Sequence, residues 1–131
     1  MIEEAIKTIG GAHSGLSALI STRLYDGQAP QGAALPYVEF TKTDWQPVAG
    51  VQVNSGWGHS RVTFSAHAAT LLAAKQVMLQ VRAAFDRYHG TASGVAIDAV
   101  GTLATGEGGE DYDYELDHHL VDEEIEFFHT E

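Results

Sequence analysis

Three stretches of this chain alternate apolar and polar side chains one by one, and no other feature restricts the fold as much. In the first, Tyr37 to Thr43, Val38 and Phe40 fall on one side and Glu39 and Thr41 on the other. In the second, Val62, Phe64 and Ala66 alternate with Arg61, Thr63, Ser65 and His67. In the third, Val121, Ile125 and Phe127 share one side and Asp122, Glu124 and Glu126 the other, with Glu123 out of phase. Successive side chains of a strand point to opposite faces, so each stretch reads as a strand with one buried and one wetter face. Parallel strands covered on both sides would be apolar throughout. The pattern therefore predicts a mostly antiparallel sheet with one face covered.

Helices supply the cover. Ile2, Ala5, Ile6 and Ile9 recur at the spacing that gathers apolar side chains on one helix face, and Gly10-Gly11 is expected to stop that helix. A short second helix carries Leu16, Leu19 and Ile20. Leu71 to His89 gives the clearest helical pattern, with Leu71, Ala74, Met78, Val81, Phe85 and Tyr88 in one stripe, Thr70 placed to cap its start and Gly90 to end it. A further strand is expected from Val95 to Leu103, followed by a glycine-rich turn at Thr105 to Gly109. The order helix, strand, strand, helix, strand, strand predicts an α+β fold: a mostly antiparallel four-stranded sheet with helices packed on one face. With 131 residues and no linker between two cores, the expectation is one domain spanning 1–131.

Two connections stand out. Asp26 to Pro36 holds two glycines and two prolines, which favours a loop. Asp44 to His59 is also expected to be a loop, because it contains Pro47, Gly50, Gly56 and Gly58. It carries Trp45, Val51, Val53 and Trp57 as well, and loops of that length usually serve a function. The tryptophans read equally as residues folded back on a small satellite core or as anchors of a protein interface.

The net charge of −11 is unevenly placed. All seven bases precede Glu107 and are matched there by seven acids; the other eleven acids lie from Glu107 onward. Sequence-independent nucleic-acid binding relies on Lys and Arg displacing counterions, so such a role is excluded. The acidic last strand, with Asp122, Glu124 and Glu126 in one row, either blunts a sheet edge, lines a channel or meets a basic neighbour. The absence of cysteine excludes disulfides, thiol nucleophiles and thiolate metal sites. Acid near the N-terminus and no long apolar run predict a chain that is neither exported nor membrane-spanning.

Catalytic signals are weak. Asp113, Glu115, Asp117, His118 and His119 offer metal-ligand chemistry, and a small metal-dependent enzyme built on segment 111–119 is the alternative reading. Adjacent histidines of a strand point apart, however, and no HExxH, paired CxxC or EF-hand loop exists. Gly106-Glu107-Gly108-Gly109 lacks the Lys-Ser/Thr of a phosphate loop, and no serine sits in G-x-S-x-G. His59 and His67 read as surface or satisfied core groups. No catalytic, cofactor-binding or metal residue is assigned, and no cofactor is expected.

Several strings resemble the tail-completion, or tail-terminator, proteins of long-tailed bacteriophages. They are the opening helix, Arg23-Leu24-Tyr25, and the run Ala29-Pro30-Gln31-Gly32-Ala33-Ala34-Leu35-Pro36 into Tyr37-Val38-Glu39-Phe40. Val62-Thr63-Phe64-Ser65, passing through Ala68-Ala69-Thr70 into a helix with Ala74-Lys75 and Val81-Arg82-Ala83-Ala84, continues the likeness, which ends in the last strand. The resemblance implies a non-enzymatic virion protein, made in the host cytoplasm, that forms a homo-oligomeric ring, typically a hexamer, at the head-proximal end of the tail. It implies that the ring ends polymerisation of the tail tube protein and joins a head-completion or stopper protein, while DNA passes through the lumen unbound. Candidate interface residues are Trp45, Val51, Val53, Trp57, Asp122, Glu124 and Glu126. The dense acids Asp122, Glu123, Glu124 and Glu126 depart from what the resemblance implies for the last strand.

Overall fold

A computed structural model describes residues 1–49 and 54–130. Three helices, α1 (Ile2–Ala12), α2 (Ser14–Ile20) and α3 (Leu71–Phe85), accompany six strands: β1 (Leu24–Asp26), β2 (Tyr37–Ala49), β3 (Asn54–Ala68), β4 (Gly90–Ala92), β5 (Val95–Asp113) and β6 (His118–Thr130). They form one sheet in the order β1-β2-β3-β6-β5-β4. Every neighbouring pair is antiparallel except β1 and β2. The fold is α+β, but the sheet is mixed and six-stranded rather than four-stranded. The two additional strands are three-residue edges, too short to show an alternation of their own.

The alternation decides what is buried. Val38, Phe40, Val62, Phe64, Ala66, Val121, Ile125 and Phe127 all point to one side and join Ile2, Ala5, Ile6, Leu16, Ile20 and the α3 stripe Ala74, Val77, Met78, Val81, Phe85 in a single core. Phe64 packs on both Phe85 and Phe127, with ring centroids 5.0 and 6.4 Å apart. Burying a side chain of this size contributes about 1.5–3 kcal/mol. At the start of α3, Thr70 Oγ1 accepts a hydrogen bond from Ala73 N–H at 3.1 Å. The helix ends at Phe85, ahead of Gly90, because Asp86 leaves it: the Asp86 carboxylate accepts from Ala104 N–H at 2.8 Å, and Arg87 N–H donates to Thr102 O at 2.7 Å. These bonds pin the irregular middle of β5 to the end of α3.

Three local expectations need correction. The first helix runs through Gly10-Gly11 to Ala12, and Gly10 serves close packing: a Cβ there would lie 2.5 Å from the Leu24 side chain. Of the stretch Asp44 to His59, the described residues 44–49 and 54–59 are the paired arms of a β-hairpin rather than a loop, since pairing continues from Asp44↔Arg61 through Pro47↔Gly58 to Ala49↔Asn54 with a register shift between Pro47 and Ala49. Bulges absorb the residues that break regular alternation there, and edge position tolerates a proline without a donor. The run at Thr105 to Gly109 belongs to β5, whose pairing with β6 shifts register three times between Asp98 and Gly109. Pro47, Lys42 and the bulges on the outer half of β2 are devices that blunt a strand edge.

Candidate functional site

β6 carries four carboxylates that its alternation sends to opposite faces, three to one and Glu123 to the other. Asp122, Glu124 and Glu126 are partly exposed on the face away from the helices, opposite Ser65, Thr63 and Arg61 of β3. Ser65 Oγ donates to Asp122 Oδ1 at 2.5 Å, and His59 Nδ1 lies 3.1 Å from Glu126 Oε1. Asp111 and Asp113 of β5 add carboxylates on the same side, opposite Leu120 and His118. Glu123 keeps geometric phase with the core after all. Fully buried on the helix-covered face, it receives Arg82 Nε at 3.0 Å to both oxygens and Arg82 Nη2 at 2.7 Å. A buried carboxylate is tolerable only when paired in this way.

The tryptophans part company across the sheet. Trp45 lies over His129, with ring centroids 4.9 Å apart, and lines a small cavity of about 110 Å³ with Met1, Ile2 and Lys42. Its ring also fills the space that a Cβ at Gly58 would need, 2.5 Å away. His129 is buried, its Nε2 2.8 Å from Ser60 Oγ and its Nδ1 2.6 Å from Thr130 O. Burial pushes its pKa below the usual histidine value, against the raising effect of the Thr130 carbonyl. Trp57 is on the other face, where its ring meets Phe128, itself stacked with His59. Val51 and Val53 lie outside the described residues.

The segment 111–119 divides as well. Asp113 Oδ1 caps the turn after β5 by accepting from Glu115 N–H and Leu116 N–H at 3.0 and 3.1 Å. His119 meets the Tyr112 ring on one face, whereas His118 meets His67 on the other. Among the described residues no three His, Asp or Glu groups converge on a common metal position.

A cluster that the linear sequence does not reveal lies at one end of this open face. His67 Nδ1 is 2.8 Å from His118 Nε2, and His67 Nε2 is 2.8 Å from Glu39 Oε1. The Tyr37 ring stacks on His67 at 4.6 Å. These groups come from β2, β3 and β6, 28 or more residues apart for β2 and β3, so no local spacing announces them. Burial lowers the pKa of His67, Glu39 opposes that and His118 adds to it.

Comparison with known proteins places the whole chain. No curated protein sequence matches it. Among solved structures, a chain described as "Virion of native gene transfer agent (GTA) particle" is 19% identical with a TM-score of 0.78, covering 97% of this chain and 92% of that one. A second solved chain is 13% identical with a TM-score of 0.63, covering 99% and 94%. At such identities the likeness shows a shared fold. The family model described as "Tail completion protein gp17" matches residues 5–125, and the chain belongs to that family.

Proposed function

We propose that this chain is a non-catalytic structural virion protein that closes, as a ring of identical copies, on the head-proximal end of a phage tail tube. The ring ends tube polymerisation and presents a surface to the head-completion complex. The observation that carries the reading, beside family membership, is the uneven treatment of one sheet. One face holds the core and all three helices, while the other holds Asp122, Glu124 and Glu126, partly exposed beside Thr63 and Ser65. Carboxylates facing a hole repel the phosphate backbone and let a duplex slide without binding, and Arg61, opposite Glu126 on the same face, is outnumbered by them. Trp57 and Phe128, in contact on the same face with ring centroids 5.0 Å apart, offer aromatic surface for a neighbour.

The test is to mix the purified chain with polymerising tail tube protein and measure tube length by electron microscopy. Tubes capped at one end and shortened in proportion to added chain are expected. Tubes that grow unchanged, without density at either end, would count against the proposal.

A further inference from the structure

The turn from β5 to β6 puts two large side chains into solvent: Tyr114 is 88% exposed and Leu116 57%. The backbone beneath them is fixed. Asp113 Oδ1 accepts from the Glu115 and Leu116 N–H groups, Asp113 O accepts Asp117 N–H at 2.8 Å, and Asp117 takes a left-handed conformation at φ 56°. Tyr112 braces the Tyr114 ring edge-on, with centroids 4.9 Å apart. A side chain held in this way has less freedom to lose when a partner covers it. Glu115 and Asp117, on either side of Leu116, are exposed and make the tip acidic.

A matching hollow of about 230 Å³ lies on the opposite flank, between the ends of α1 and α2 and the edge strand β1, lined by Gly10, Gly11, Ile20, Leu24 and Tyr25. A cavity of about 150 Å³ suffices for a benzene ring, so this one has room for a phenol. Its one charged lining residue is a base: Lys7, exposed and without an ion pair among the described residues. The sheet sets tip and hollow at the same level. β1 pairs with Val38 near the start of β2, Tyr37 lies opposite His67 near the end of β3, and Ala68 lies opposite His119 beside the turn. β4 covers β5 only at Val95, Ala96 and Ile97, the far end, so β5 is the outer strand where the turn begins. Copies related by rotation about an axis along the strands stay level, and the tip of each then faces the hollow of the next. Such a contact joins two different surfaces and closes into a ring when the rotation does.

We infer that the tip carrying Tyr114 and Leu116 inserts into the hollow beside Lys7 of a second copy of this chain. The inference rests on the ring reading above and names the contact between its subunits. Tyr114 is the anchor that fills the hollow, and Glu115 and Asp117 meet Lys7, so the two surfaces match in sign as well as in size.

The chain has no cysteine, so introduced cysteines report the contact without background. Full chains carrying Lys7→Cys or Glu115→Cys are mixed, in solution and on tail tubes, and joined with a short bismaleimide. Mixed dimers are expected, with neither variant linked to itself, and the double variant should give a ladder of oligomers. Tyr114→Ala should weaken self-association about tenfold or more in sedimentation. Nothing lies within 4 Å of where a Cβ at Gly11 would stand, so Gly11→Phe keeps the fold while obstructing the hollow, with a loss of the same order. Rings that form without mixed dimers, or that are as stable in Tyr114→Ala and Gly11→Phe as in the unaltered chain, would overturn the inference and leave the ring itself standing. Linkage of Lys7→Cys to the tube protein in place of its own chain would also overturn it. An unaltered chain that associates neither with itself nor with tubes defeats the ring reading, and the inference with it.

Discussion

The two faces of β6 differ in what surrounds an identical functional group. Glu123 is fully buried under α3 and held by two-pronged pairing with Arg82, whereas its neighbours Asp122 and Glu124 are partly exposed on the uncovered face. The side-chain alternation of one strand thus separates a carboxylate that belongs to folding from carboxylates available for assembly. On the covered side a charge is tolerated because a partner fixes it. On the other, solvent screens it.

The largest effect that would break this contrast is in the core. Phe64→Ala should cost about 3–5 kcal/mol in urea denaturation, because Phe85 and Phe127 lose a shared neighbour across a close-packed contact. Arg82→Ala, which strands Glu123 as a buried charge, is expected to cost about 3 kcal/mol, the lower part of the usual range since Arg82 is itself partly exposed. Adding Glu123→Gln to Arg82→Ala should return part of that loss, and a double variant no more stable than Arg82→Ala would show that the charge is not what the arginine serves.

Acid sharpens the comparison further. His129 and His67 have folded pKa values below that of an unfolded histidine, about 6.5, through burial. At a pH below that value the unfolded chain binds protons that the folded chain does not, so stability falls as pH drops through about 6.5 and levels off below the folded values. Denaturation midpoints measured between pH 7.5 and 5 should show the decline, and His129→Gln should flatten it. The smallest effect is expected on the open face, where Asp122→Asn, Glu124→Gln and Glu126→Gln together should change stability by no more than about 0.5 kcal/mol per site. A large loss from this triple variant would mean that these acids, like Glu123, are structural.

Much of the fold was legible because it rests on periodicity. The α1 stripe, the α3 stripe as far as Phe85, the Thr70 cap and the one-sided alternation of β3 appear in the structure as read. The hairpin top was misread because glycine and proline report local breaks, while pairing between Trp45 and Ser60 or Pro47 and Gly58 is a property of two segments. Glu123 looked out of phase for the same reason: hydropathy classes it with its acidic neighbours, and only Arg82, 41 residues away, explains its burial. The cluster around His67 draws on three separate stretches of the chain, at Tyr37 and Glu39, at His67 and at His118, so no window of sequence contains it. Of the candidate interface residues, the structure shows Trp45 on the helix side and Trp57, Asp122, Glu124 and Glu126 on the other, a division that two tryptophans in one segment do not disclose.

The most direct measurement is a cryo-electron-microscopy map of the chain bound at the end of its tail tube. A closed ring of identical copies with Asp122, Glu124 and Glu126 turned toward the central hole is expected. Single copies on the tube, or a ring whose hole is lined by the helices while the acidic face points outward, would contradict it.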